Sequence, residues 1–143
     1  MEKKIRYTLG KEERLKSRKL IEQLFKEGKS IAVFPLRVIY IVEKGEEAVF
    51  SDHQLTSIHP TIQAGFTASS RNFKKAVHRN RIKRLMREAW RLQKHSLQLP
   101  MSSKASLFIF FIYVGKELPL YELVYEKMAI IIKRFTRIMD ENR

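Results

Sequence analysis

The residues best suited to chemistry in this sequence are the cations of one short segment, residues 79–84, which reads Arg-Asn-Arg-Ile-Lys-Arg. Between Arg71 and Lys94 there are ten Lys or Arg residues and only one acid, Glu88. Guanidinium groups form paired hydrogen bonds with phosphates and stack on bases, and an Asn side chain can read a base edge or a sugar hydroxyl. This combination favours a surface that binds a nucleic acid.

A helix over residues 77–95 would gather these cations into one stripe. At about 100° per residue, one arc contains the residues that would face the core, namely Ile82, Leu85, Met86, Ala89 and Gln93, with Trp90 and Leu92 at its edges. The opposite arc is cationic: Lys83, Arg84, Arg87, Arg91 and Lys94. Like charges four residues apart destabilise an isolated helix, and an ordinary solvated face would interleave acids. We therefore expect this stripe to bind a polyanion, with a plain solvated face as the alternative.

The loop before this helix, residues 69–75, is also basic and contributes Arg71, Lys74 and Lys75. Cations and polar backbone groups near a helix N-terminus favour phosphate binding. Phe73 in the same loop could stack on a base, but we interpret it as a core anchor.

Residues for hydrolytic or metal chemistry are few. The only aspartates are Asp52 and Asp140, the four histidines are scattered, and there is no cysteine. A nuclease that uses two metal ions needs several carboxylates at one site, and a zinc site needs closely spaced ligands. We predict neither catalytic residues nor a metal site in this chain.

Composition supports the same partner class. The 143 residues, 44% of them hydrophobic, predict a single domain over residues 1–143 with a flexible N-terminus at 1–13. A formal charge of +14 favours nucleic acid, with an anionic membrane or an acidic protein as alternatives. No apolar run reaches the roughly 18 residues of a membrane span, so we expect a soluble cytoplasmic protein that binds no membrane.

Hydrophobic patterns predict an α+β domain. Helices are expected at residues 17–26, 77–95 and 120–139, and strands at 34–42, 62–68 and 107–114. Pro35 places the start of the first strand at a sheet edge or a bulge. Residues 43–60 are predicted to form an exposed connection with a possible short strand at 48–50. A stripe in the last helix is expected in the core: Val124, Met128, Ile131, Phe135 and Ile138.

The run from Ala76 to Glu88 closely resembles the signature of the protein subunit of bacterial ribonuclease P. Residues 14–16 and 24–28 are similar to the family's first helix, residues 34–40 to its next strand, and residues 63–67 to the strand before the signature. The resemblance covers most of the chain through residue 95.

This resemblance implies a two-layer α/β sandwich with a small mixed sheet, about three helices and a left-handed βαβ crossover, like the second domain of ribosomal protein S5. It implies an RNA-binding subunit that assists a catalytic RNA in removing the 5′ leader from precursor tRNA. The endoribonuclease active site and most of the Mg²⁺ would then belong to the RNA. We expect a monomeric protein in a 1:1 complex with that RNA.

The resemblance also implies roles for particular residues. Contacts with the RNA subunit or the substrate are implied for Arg79, Asn80, Arg81, Lys83, Arg84 and Arg87, to which the charge pattern adds Arg71, Lys74, Lys75 and Arg91. A cleft between the first helix and the sheet would hold the single-stranded leader, with matching positions at Ile21, Phe25 and Tyr40. Ile21 stands where the family usually has Phe. For Phe25 and Tyr40, packing in the core is an equal alternative.

Two other functions remain open at this point. A structural ribosomal or rRNA-binding protein would share the charge and the stripe but would not stimulate tRNA processing. An amphipathic helix that binds anionic membranes or an acidic protein would need its apolar face free.

Overall fold

The computed structural model describes residues 13–43, 61–97 and 106–141. In chain order the elements are α1 (Arg18–Glu27), β1 (Lys29–Val33), β2 (Leu36–Glu43), β3 (Thr61–Ala68), α2 (Ala76–Gln93), a 3₁₀ turn (Lys94–Ser96), β4 (Ser106–Tyr113) and α3 (Tyr121–Glu141). All predicted helices and the three main predicted strands are present, and β1 is a further strand that the patterns did not indicate. Residues 1–12 of the predicted flexible N-terminus, and the possible strand at 48–50, lie outside the described residues.

Helix α1 begins and ends at the residues that its sequence indicates. The Ser17 hydroxyl accepts a hydrogen bond from the Leu20 N–H at 3.3 Å and so caps the first turn. At the other end, the Gly28 N–H donates to the Leu24 carbonyl at 2.8 Å. A Cβ at Gly28 would lie 2.4 Å from that carbonyl oxygen, so glycine lets the chain turn directly into β1.

The four strands form one mixed sheet in the order β1-β2-β4-β3. The β1–β2 and β2–β4 pairs are antiparallel, whereas β3 and β4 are parallel and are connected through α2. The prediction that Pro35 places the start of its strand at an edge or a bulge is wrong, because β2 pairs on both sides in continuous register. Pro35 instead lies in the turn before β2, where its missing N–H interrupts no ladder.

The two faces of the sheet are covered by different helices. Helices α2 and α3 pack on one face, where the predicted α3 residues Val124, Met128, Ile131 and Phe135 are fully buried. Helix α1 packs on the other face through Leu20 and Leu24. Strand β4 is buried on both faces, as predicted for a central strand. The predicted α+β fold is confirmed, with α1 as a cover on the side of the sheet away from α2 and α3.

Among the described helices, none is long and apolar enough to cross a membrane.

Phe111 on β4 lies at the centre of the larger core. Its ring stacks on Phe66 with centroids 5.3 Å apart and meets Trp90 of α2 at 5.4 Å. We expect Phe111→Ala to lower the free energy of unfolding by about 3–5 kcal/mol, because it leaves a cavity between α2 and the sheet. Phe34→Ala is the matched control, since Phe34 is 73% exposed, and should change it by less than about 0.5 kcal/mol. Urea denaturation measures both, and equal losses would contradict this account of the core.

Candidate nucleic-acid interface

The inner face of α2 is fixed against the sheet and against α3. Ile82, Met86, Ala89 and Trp90 are all buried, as the helical projection predicts. Gln93 is also buried, and its Nε2 donates a hydrogen bond to the Tyr125 carbonyl of α3 at 3.0 Å. The apolar face is therefore occupied by the protein's own core. A helix that binds a membrane needs this face free, and α2 does not meet that requirement.

The outer face of α2 carries four of the predicted cations together with Asn80. Asn80, Arg81, Arg84 and Arg87 are exposed and Lys83 is half-buried. We call these five residues the outer stripe. Helix α2 begins after Lys75 without a side-chain cap and has no acid in its first turn. The outer stripe is thus a positive surface that the helix itself does little to neutralise, and it suits a partner rich in phosphates.

Arg91 differs from the outer stripe because it already has an acidic partner. Its guanidinium forms a two-point ion pair with Glu88, in which Nε lies 3.1 Å from Oε2 and Nη2 contacts Oε1. The hydrogen bond from Arg91 lowers the pKa of the Glu88 carboxyl, so both groups are charged near neutral pH. The helical projection grouped Arg91 with the other cations, whereas in the structure the carboxylate of Glu88 partly offsets its charge.

The basic loop, residues 69–75, is held in place by specific hydrogen bonds. The Asn72 Nδ2 donates to the Val114 and Gly115 carbonyls at 3.4 and 3.3 Å, which ties the loop to the end of β4. Phe73 is 6% exposed and packs beside Tyr113, which confirms that it is a core anchor. Arg71, Lys74 and Lys75 are all exposed on this anchored loop.

Arg79 supports the same loop from within α2. Its Nη1 donates to the Phe73 carbonyl at 2.7 Å and to the Lys74 carbonyl at 2.8 Å. A guanidinium has five donor hydrogens, so Arg79 can brace the loop and still present donors to a partner. The structure therefore gives Arg79 a positioning role that its place in the charge pattern did not indicate.

The three residues of the predicted leader cleft do not lie together. Ile21 is half-buried on α1, and Phe25 is 59% exposed, with its ring edge-on to Phe110 at 5.7 Å. Tyr40 instead lies on the opposite face of the sheet, 6% exposed, with its ring 5.0 Å from Phe135 of α3. Burial raises the pKa of its hydroxyl. The prediction that Tyr40 lines this cleft is wrong, and the side chain that β2 turns toward α1 at this level is Ile39.

The strand alternation gives only part of the signal for Tyr40, because it shows which residues share a face but not which helix covers that face. Tyr40 has the same parity as Leu36 and Val38, which are core residues on the α2 and α3 side. Sequence reasoning also did not single out Arg14 and Lys16, two exposed cations that line a pocket together with Lys83 and Arg87 of α2. They flank the buried Leu15, a pattern typical of an extended segment with one face inward.

No group of three or more His, Asp or Glu side chains close enough to hold a metal ion occurs within residues 13–43, 61–97 and 106–141.

Known proteins resemble this chain over most of its length. The family model for ribonuclease P matches residues 9–135. The ribonuclease P protein component of Porphyromonas gingivalis is 37% identical over 123 residues, which cover 85% of this chain and 82% of that protein. The corresponding protein of Chlorobium phaeobacteroides is 35% identical over 130 residues, covering 85% of this chain and 84% of that protein.

Solved structures show the same fold. The RNase P protein of Staphylococcus aureus gives a TM-score of 0.60 at 20% identity and covers 85% of this chain and 94% of its own. The RNase P protein of Thermotoga maritima gives a TM-score of 0.59 at 26% identity, with coverage of 85% and 96%.

Proposed function

This chain belongs to the bacterial ribonuclease P protein family, and from that premise we propose that the outer stripe and the basic loop form its binding surface for the ribonuclease P RNA. The protein is a subunit of the ribonuclease P holoenzyme, an endoribonuclease that matures the 5′ ends of precursor tRNA, and the ribonuclease P RNA is its partner. The proposal adds which residues make the contact and how.

The observation that carries this proposal is that α2 buries its inner face and exposes the outer stripe. Because the inner face of α2 is locked in the core, the outer stripe can turn only toward solvent or a partner. Cations at fixed positions next to a phosphate backbone release condensed counterions and lower the repulsion between two RNA chains. That is the contribution needed where a catalytic RNA binds a substrate RNA.

The braced loop supports the same surface. Arg79 donates two hydrogen bonds to carbonyls of the loop, and the Asn72 side chain donates two from the loop to the carbonyls of Val114 and Gly115. Cations on an ordered loop lose less conformational freedom when they bind, so more of each contact appears as affinity. Arg71, Lys74 and Lys75 would then contact RNA phosphates near the beginning of α2.

The leader would contact the α1 side of the molecule. Phe25 exposes its ring beside Phe110, and Ile21 extends this apolar patch by one turn of the same helix. An exposed aromatic ring gives an unpaired base a surface on which to stack, whatever the base. This arrangement retains Phe25 and Ile21 from the expected cleft and omits Tyr40.

We assign the catalytic Mg²⁺ mainly to the RNA, because exposed Lys and Arg residues outnumber exposed acids on the described surface and repel a metal ion. Phosphates drawn to the outer stripe remain free to hold Mg²⁺ on their other side. A cytoplasmic location and a 1:1 complex of one protein with one RNA are part of the same proposal.

The first test is cleavage at low Mg²⁺. Adding the chain to a bacterial ribonuclease P RNA should increase 5′ cleavage of precursor tRNA, because the protein offsets phosphate repulsion that Mg²⁺ otherwise screens. Gel assays of leader release measure this gain. A structural ribosomal protein would bind RNA without any gain, and that outcome would refute the proposed function.

A second test addresses the outer stripe. Arg81→Ala together with Arg84→Ala should weaken binding to the ribonuclease P RNA and flatten the log–log salt dependence by about one to two units. Lys133→Ala together with Arg137→Ala is the matched control, since it removes the same charge from exposed positions of α3. If both double variants change the slope equally, only net charge matters and the outer stripe is not the contact.

A third test separates leader binding from folding. Phe25→Ala should reduce the preference for leader-bearing over mature tRNA by about 5- to 150-fold, from the roughly 1–3 kcal/mol of one base–aromatic stack. Phe34→Ala, at the other exposed phenylalanine of the described residues, should leave that preference unchanged. An equal loss of affinity for both tRNA forms would show that Phe25 does not recognise the leader.

A further inference from the structure

The segment before α1 extends the sheet at its outer edge. The Leu15 N–H donates to the Ala64 carbonyl of β3 at 3.0 Å, and Arg14 pairs with Ala64 in a parallel bridge. Leu15 is 6% exposed and packs in the core on the α1 side. Residues 14–16 therefore lie along β3, with Leu15 inward and its two neighbours exposed.

Two further features hold this segment in place. Glu13 forms an ion pair with Lys94, at the C-terminal end of α2. At Gly65, a Cβ would lie 2.7 Å from the Phe110 ring, whereas its 3.4 Å from the Leu15 carbonyl oxygen is an ordinary contact. A side chain at this position would therefore displace the Phe110 ring, which packs in the same core cluster as Leu15.

A pocket of about 320 Å³ opens where this segment meets α2. Four cations line it, Arg14 and Lys16 from the segment and Lys83 and Arg87 from α2, while Gly65 and Phe66 contribute to its wall. No acidic side chain is among the lining residues, all of which the structure describes. Four like charges around one small volume repel each other, and an anion in the pocket would relieve that repulsion.

We propose that this pocket binds one backbone phosphate of RNA, with Arg14 and Lys16 as ligands that act together with Lys83 and Arg87. The site rests on the proposed function and extends the outer stripe across the edge of the sheet. Its cations come from two parts of the chain, so it exists only while residues 14–16 are docked on β3. Because Leu15 packs with the Phe110 ring, which lies against Gly65, we expect this docking to depend also on Gly65, a residue that carries no charge.

The main experiment measures affinity for the ribonuclease P RNA over a salt series. Arg14→Ala together with Lys16→Ala should flatten the log–log salt slope by about one unit, because one phosphate contact is lost. Lys133→Ala together with Arg137→Ala is again the control of equal charge. If the two double variants behave alike while the unmodified chain binds this RNA and stimulates cleavage, the pocket proposal fails and the proposed function stands.

Gly65→Ala tests the assembly of the pocket with the net charge unchanged. We expect it to lower RNA affinity and flatten the slope as the Arg14 and Lys16 double variant does. Circular dichroism and thermal melting show whether it is folded. A folded Gly65→Ala protein with unchanged RNA affinity would overturn the dependence on the docked segment. If the variant does not fold, the double variant decides alone.

A probe that contains no RNA tests the ligand chemistry directly. Titrating the unmodified chain with inorganic phosphate should give saturable NMR shifts at the Leu15 and Gly65 amides, and the Arg14 and Lys16 double variant should lose them. The absence of shifts in the unmodified chain would refute the pocket even if RNA binding fails for other reasons. Flotation with phosphatidylglycerol vesicles identifies the other source of phosphate, and vesicle binding that requires Arg14 and Lys16 would contradict the assignment to RNA.

Discussion

Trp90 packs its ring against Phe111 and so fixes which face of α2 is turned to solvent. Lys83 and Arg87 stand four residues apart on that helix, and each such like-charge pair costs about 0.2–0.5 kcal/mol. Burying Ile82 or Met86 contributes about 1.5–3 kcal/mol per side chain, so burial exceeds the repulsion several-fold. The helix can therefore keep a cationic face without acids to balance it, provided that its inner face stays packed.

Strand β3 would present an open edge, because it is the last strand of the sheet. Unpaired edges favour unwanted association with other chains, and proteins commonly cover them or place charges there. Residues 14–16 do both, since the Leu15 N–H donates to the Ala64 carbonyl and its neighbours Arg14 and Lys16 are charged. The same segment leads directly into α1. The cationic side of the molecule and the aromatic patch at Phe25 are thereby joined through one short stretch of chain.

Local patterns were enough to predict the three helices, the central strand and the solvent-facing side of α2, because each depends on the period of the apolar residues. The misplacement of Tyr40 has a different origin, since the side of the sheet that α1 covers is decided by tertiary packing. Local patterns also could not predict the hydrogen-bond and ion-pair partners of individual side chains. Arg79 and Arg91 look alike in a charge pattern, yet one braces a loop and the other pairs with an acid. Arg14 and Lys16 lie beside the cations of α2 only because their segment donates a hydrogen bond to β3, which is distant in the sequence.

The beginning of α2 runs against the usual electrostatics of a helix. Helix N-termini carry roughly half a positive charge and are normally capped by polar or acidic side chains. Here Lys75 precedes the first turn without a capping bond, and the first turn contains no acid. Each nearby cation then costs about 0.3–1 kcal/mol in the free protein. A polyanion bound at this end of α2 would offset this cost in the folded state. By linkage it would stabilise the fold to the extent that it binds the folded chain more tightly than the unfolded one.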